Sequence, residues 1–207
     1  MRRPAQFLIF ALAVAGMTVG CLNSRYVHRT PPRKSLDIQA ILDDAPNGSI
    51  LTLDFGEYVF DQSLALVGKK NLTITAPSGT RILCSDVMQD VLSLENCDSI
   101  RIENLRLSHL KPLDDYECEG ACLRLGDCRD VEVSGCELAG CGAFGISGND
   151  VARLLVKDCY IHDNTFSAFY FDGCRDVLVS GNRIADNAEL ITQFSCNRID
   201  LRNNRLK

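Results

Sequence analysis

Tryptophan is absent from this chain, and aromatic residues make up only 7% of it. A broad globular interior leans on large aromatic side chains, so their scarcity points to a narrow core filled by aliphatic residues. Positive charge is also short: 22 Lys and Arg against 27 Asp and Glu leave a net charge of −5. That excludes the basic stripe with which proteins track a phosphate backbone, so no nucleic-acid partner is expected. No apolar run has the length and flanks of a membrane span, the longest being Phe7 to Val19. Cys118-x₃-Cys122 lacks a second thiol or His pair at metal-ligand spacing, so no metal site is expected either.

What is present begins with a targeting segment. Arg2 and Arg3 precede the apolar run, and small residues lead through Thr18-Val19-Gly20 to Cys21. This order resembles a bacterial lipoprotein lipobox, although Thr18 stands where Leu is usual. The resemblance implies a signal peptide over 1–20, a lipidated Cys21 and attachment to a membrane through that lipid. An ordinary secretory signal cut nearby is the other reading. Both place the domain outside the cytoplasm, in the cell envelope or secreted. Residues 21–34 carry Arg25, Arg29, Arg33, Lys34 and Pro31-Pro32, the composition of an extended linker. His28 belongs to that linker. One domain, 35–207, follows.

Within it an eight-residue pattern recurs: Ile100 to Leu107, Val131 to Leu138, Leu154 to Ile161, Val177 to Ile184 and Ile199 to Leu206, with a vestige at Leu72-Thr73-Ile74. Each copy reads apolar-x-apolar, two polar or small residues, usually Cys or Asn, then x-apolar. The later copies follow one another at 22 to 23 residues, a length at which each unit buries its apolar row only by stacking on its neighbours. The expected fold is all-β, a parallel coil of about six turns with three short strands per turn. A short helix over Leu36 to Asp44, capped by Ser35 and presenting Ile38, Ile41 and Leu42 on one face, is expected to cover the first coil.

Alternation sets the faces. In the repeated anchor strand the outward row is Thr73, Arg101, Glu132, Leu155, Leu178 and Asp200. In the strand before it, Leu92, Leu123, Phe144 and Phe169 are expected inside, with Ser93, Arg124, Gly145 and Tyr170 outside. Cys136, Cys159, Asn182 and Asn204 share one turn position, and Cys128, Cys174 and Cys196 another, so amides bond up one column and thiols fill the other as small hydrophobes.

The opening Ile38 to Ala45, the Gly56-Glu57-Tyr58 turn and these Asn/Cys ladders resemble the single-stranded right-handed β-helix of the pectin lyase-like superfamily. Right-handedness follows from that resemblance and from the general bias of parallel crossovers. The resemblance also implies that an active-site cleft, where one exists, lies along the first strand row and the loops before it.

Eleven cysteines in an oxidising compartment invite disulfides. Residues stacked on adjacent coils stand roughly 4.8 Å apart with parallel Cα–Cβ vectors, whereas a bridge needs Cβ atoms about 3.8 Å apart. The ladder cysteines are therefore expected free, and Cys118 with Cys122 or Cys141 is the pairing that geometry leaves open.

The insertion Ser108 to Gly120 is the place for chemistry, carrying His109, Lys111, Asp114, Asp115, Tyr116, Glu117 and Glu119 beside outward Arg124. The candidate catalytic residues are Asp114, Asp115, Lys111 and Arg124, as in a polysaccharide lyase or epimerase whose carboxylates hold Ca²⁺ while Lys or Arg abstracts a proton. A solvated acidic loop neutralised by Arg124 is the plainer reading, and two absences favour it. Acidic residues do not succeed one another along the leading strand row, and neither Gly-His-Gly nor Asp-Pro-His-Asp occurs. The preferred expectation is a module without catalysis and without a cofactor, binding polysaccharide or another envelope component through Arg124, Tyr170, Asp172 and His162. A third reading is structural: the last coil, read as stopping one strand in and without a capping helix, is expected to leave an open end for self-association.

Overall fold

The computed structural model describes residues 27–29, 38–110, 118–140 and 143–207. The signal segment, Cys21, Ser35 and Leu36, and the loop residues Lys111, Asp114, Asp115, Tyr116, Glu117 and Cys141 lie outside them.

The chain winds as a parallel coil with three strands per turn, forming three sheets. The leading sheet contains Leu64–Val67, Leu92–Glu95, Leu123–Gly126, Phe144–Asn149, Ser167–Asp172 and Glu189–Phe194. The anchor sheet contains Val27–Arg29, Ile50–Thr52, Lys70–Thr75, Asp98–Glu103, Arg129–Ser134, Ala152–Lys157, Arg175–Ser180 and Asn197–Arg202. The trailing sheet contains Glu57–Phe60, Arg81–Cys84, Arg106–His109, Glu137–Ala139, Tyr160–His162, Arg183–Ala185 and Arg205–Leu206.

Two apolar rows of the anchor sheet fill the interior, Leu72, Ile100, Val131, Leu154 and Val177 beside Ile74, Ile102, Val133, Val156 and Val179, each at most 1% exposed. The turns between sheets need left-handed backbone, and the sequence supplies residues that tolerate it. Gly68, Asn96, Asp127, Asp150, Gly173 and Ser195 form one such column with positive φ, and Asn104, Gly135, Asp158, Gly181 and Asn203 form another.

At the predicted ladder the bonds run as the spacing implies. Asn204 Nδ2 donates to the Val179 carbonyl at 2.9 Å and Asn182 Nδ2 to the Val156 carbonyl at 3.0 Å. One coil down, the Cys159 thiol takes the same role towards Val133, and Cys136 towards Ile102, both at 3.6 Å. The second column runs through Cys97, Cys128, Val151, Cys174 and Cys196. Cys118 and Cys122 are both free and buried, so they do not bridge each other, and Cys141, the other partner expected for Cys118, lies outside the described residues.

The leading sheet has six strands and the anchor sheet, within the predicted domain, seven, in keeping with about six turns. In the first of those seven anchor strands Ser49 takes the column held by Leu72 in the next coil, its hydroxyl bonded to the Pro46 carbonyl at 2.6 Å. Several other expectations are corrected. Val27–Arg29, read as linker with His28, pairs in parallel with Ile50–Thr52, whose free edge accepts it. The last coil completes all three strands rather than stopping after one.

In the leading sheet Leu123 pairs with Ile146, not Phe144, so Ile146 is the inward residue and Ser147 the outward one. Gly145 is buried, because its backbone approaches Ile161 and the Ala168 carbonyl so closely that a Cβ would lie 2.6 Å and 2.7 Å from them. Gly148 then faces the core, and the Phe171 ring fills the space it leaves.

The helix spans Ile38–Asp44 and buries Ile38 and Leu42 over the first strand of the leading sheet. The Gln39 amide both donates to and accepts from the Ala65 backbone, at 2.8 Å each, so it stands in for a missing neighbouring strand. Lys69 reaches back to the Asp43 and Ala45 carbonyls at the helix C-terminus.

Candidate functional site

The outward row of the leading sheet reads Ala65, Ser93, Arg124, Ser147, Tyr170 and Thr192 in register. Arg124 and Tyr170 therefore stand on one line, two coils or roughly 9–10 Å apart. Arg124 is half exposed and sits loosely between Asp90 (3.9 Å) and Glu95 (3.8 Å). The Glu95 carboxylate occupies the space over Gly126, where a Cβ would lie 2.1 Å from it. No acidic residue lies in the row of Arg124 and Tyr170 itself.

Four aromatic rings, Tyr170 among them, gather on the outside of the coil. Phe144 lies 4.9 Å from Tyr170, Phe194 lies 6.0 Å on its other side, and Phe166 is 6.0 Å from Phe144. Phe194 is 54% exposed and Phe166 39%, in a chain where aromatics are scarce. Asp172 is the in-register neighbour of Phe194, at the edge of this patch. The repeat points to Tyr170 and not to its companions: alternation alone puts Phe144 inside, and Phe166 sits in a turn with no repeat to mark it.

His162 does not join them. It lies in the trailing sheet, its ring stacked on Tyr160 at 3.8 Å, with Nδ1 against Asp163 and Nε2 3.3 Å from Glu137. It lines a separate cleft of about 690 Å³ whose other residues include Arg81, Arg106, Ser108, Asn164 and Asp186. The four predicted ligand-binding residues thus divide between two faces, because His162 belongs to the third strand of its coil and Arg124, Tyr170 and Asp172 belong to the first strands of theirs.

The base of the insertion is tied down. His109, 3% exposed, holds the Gln89 carbonyl through Nε2 at 2.8 Å, and Ala121 N–H donates to Asp90 Oδ1 at 2.8 Å. Burial depresses the His109 pKa below its ordinary value. Of the catalytic candidates, Lys111, Asp114 and Asp115 lie outside the described residues and Arg124 is placed as above. Among the described residues no three His, Cys, Asp or Glu side chains converge as a metal site.

Leu155 and Leu178 face outward as predicted, in a groove of about 520 Å³ on the anchor sheet shared with Arg101 and Glu132. Lys157, 2.7 Å away, and Arg101 hold the Glu132 carboxyl below the usual carboxylate range. Asp130 with Arg153, and Asp176 with Arg198, form ion pairs between coils along the groove.

A family model described as a right-handed β-helix region matches residues 89–207. The chain belongs to that family. Solved structures share its fold at low identity. A Geobacillus virus E2 protein, ORF18, is 14% identical with a TM-score of 0.65, over 81% of this chain and 37% of its own length. A putative glycosyl hydrolase from Parabacteroides merdae is 13% identical with a TM-score of 0.65, over 87% and 95%. An alginate lyase from Paenibacillus is 14% identical with a TM-score of 0.53, over 86% and 75%. No curated protein matches the chain.

Proposed function

We propose that this β-helix binds polysaccharide without transforming it, on the outer face of the leading sheet. The observation that carries the reading is the exposed patch of Phe144, Phe166, Tyr170 and Phe194. Ring faces shed water readily against the apolar face of a sugar, and a rigid sheet holds them at low entropic cost. Arg124, half exposed and in the same row, offers donors to ring oxygens or acidic substituents. The fold is shared with a putative glycosyl hydrolase and an alginate lyase; at that identity the likeness carries the coil, and the patch carries the ligand class.

Binding is favoured over lyase or epimerase chemistry because no acidic residue stands in the row of Arg124 and Tyr170 that carries the patch. The domain works outside the cytoplasm in this reading, tethered to the cell envelope by a lipid on Cys21. A Cys21→Ser chain is expected in the soluble fraction, and its recovery with membranes would count against the tether.

The test is a glycan array followed by calorimetry on the best ligand. Tyr170→Ala is expected to weaken binding about tenfold, with unchanged thermal stability because the ring is on the surface. Arg101→Gln, on the anchor sheet, is expected to leave binding intact. Equal affinities for wild type and Tyr170→Ala, or an array without a hit, would refute the proposal.

A further inference from the structure

On the outer face of the trailing sheet one row reads Glu57, Arg81, Arg106, Glu137, Tyr160, Arg183 and Arg205 in register. Like charges directly opposed on neighbouring strands work against the fold, yet Arg81 and Arg106 are paired here. Each turns to a carboxylate on its far side: Arg81 Nη1 to Glu57 at 2.8 Å, and Arg106 Nη1 to Glu137 at 3.3 Å. The space between the two guanidiniums gains nothing from this. The Nε–H of Arg81 and the Nε–H of Arg106 are both buried, and neither has a hydrogen-bond acceptor among the described residues. A buried donor left without an acceptor costs more than an exposed ion pair returns. Two such donors stand on adjacent arginines of one row.

Both arginines line the cleft of about 690 Å³ described above. Asp163 and Asp186, on successive coils, stand among its other lining residues with His162, Asn164 and Ser108. The cleft is therefore mixed in charge, with donors that lack acceptors on its arginines and acceptors on its carboxylates. A ligand carrying one anionic substituent and several hydroxyls fits that distribution, whereas a cation has no reason to approach the paired guanidiniums.

We propose that Arg81 and Arg106 form an oxyanion site, a second binding site beyond the aromatic patch, taking one carboxylate, sulfate or phosphate group. The group bridges the two guanidiniums, neutralises their doubled charge and gives both Nε–H groups an acceptor. Their side chains are 42% and 36% exposed, so a small swing reaches a ligand entering from the cleft.

The test uses thermal unfolding of the whole chain at fixed ionic strength, in sodium chloride and in sodium sulfate. The chains compared are wild type, Arg81→Gln/Arg106→Gln and, as a surface control, Arg198→Gln. In chloride the double variant is expected to melt at or above the wild-type temperature, because the opposed charges are gone. Sulfate stabilises every folded chain by its exclusion from protein surface, and wild type and Arg198→Gln are expected to gain more than the double variant. Calorimetry with oligogalacturonate and with its methyl ester identifies the source of the anion. About tenfold tighter binding of the free acid by wild type alone assigns a polymer-borne carboxylate. A sulfate response without that preference assigns a free or ester-linked tetrahedral anion. Equal sulfate responses in wild type and the double variant would overturn the proposal. So would a double variant destabilised alike in both salts, which would make the arginines mere links between Glu57 and Glu137. Neither result depends on Tyr170, so loss of the sugar reading would leave this one standing.

Discussion

Replacing Asn182 tests the turn ladder that holds successive coils in register. The residue is 1% exposed, and its side chain makes three bonds. It accepts from the Cys159 N–H at 2.9 Å and donates to the Val156 carbonyl and to Asn204 Oδ1, both at 3.0 Å. Asn182→Ala removes all three and leaves a buried donor on Cys159 and a buried acceptor on Val156. At about 1–3 kcal/mol for each orphaned group, the expected loss is about 4 kcal/mol. Asn182→Cys should be milder. The coils below already use Cys in this column, where the thiol reaches the equivalent carbonyls at 3.6 Å. That variant keeps a weak donor to Val156 and loses the strong acceptor for Cys159, for an expected cost of about 2 kcal/mol. The assay is urea unfolding followed by far-UV circular dichroism, since the chain has no tryptophan to report on its fold. Stability should fall in the order Asn, Cys, Ala at unchanged slope. An alanine variant as stable as the cysteine variant would refute the ladder as an energetic device.

Val156→Asp, at a site 0% exposed, should abolish the cooperative transition altogether, because it buries an unpaired charge in a core one side chain deep; a sigmoidal melt near the wild-type midpoint would contradict that. Thiol titration under non-reducing conditions should find Cys128, Cys136, Cys159 and Cys174 free but silent until unfolding, with burial pushing the Cys174 thiol up to about 11. Peptide mapping that finds a Cys136–Cys159 bridge would break the parallel register. His109 is held neutral by burial in the native chain but takes up a proton near pH 6.5 when unfolded. Its contribution is therefore intact above about pH 6.5 and is lost as pH falls below that, by at most about 1.4 kcal/mol per pH unit. His109→Gln should flatten the stability profile between pH 5 and 6.5, and an unchanged slope would show that the imidazole is not the titrating group.

The coil itself was legible because its signal is redundant. The five full copies repeat the inward pair that Val131 and Val133 exemplify, and in four of them the residue five places after the first member of that pair is the Cys or Asn that marks the turn. A parity error in one copy would have conflicted with four others. The first coil departs from the repeat because a polar residue, Ser49, fills an apolar column, and a side-chain bond to Pro46 makes that tolerable. Phe144 was misplaced for a steric reason that local alternation does not carry. Gly145 tucks its backbone against the coil beside it, the inward row resumes at Ile146, and the displaced ring turns out towards Tyr170. The aromatic patch depends on that one irregularity, so reading along single strands could not assemble it. The split of His162 from Arg124 and Tyr170 was implicit in the three-strand turn, since residues adjacent in two dimensions of the sequence grid can still face different ways.

The 22- to 23-residue register of the later coils also bears on how quickly the chain folds. Each strand there pairs only with its counterparts one turn before and after, so the typical contact spans about 23 residues of 207. The relative contact order this implies, roughly 0.11, lies in the range of helical bundles rather than of sandwiches and barrels. Closing one loop of that length is the slow event, and each further coil then adds against a template already in place. Kinetically, an all-β molecule built this way should behave as a zipper, growing from whichever pair of turns meets first.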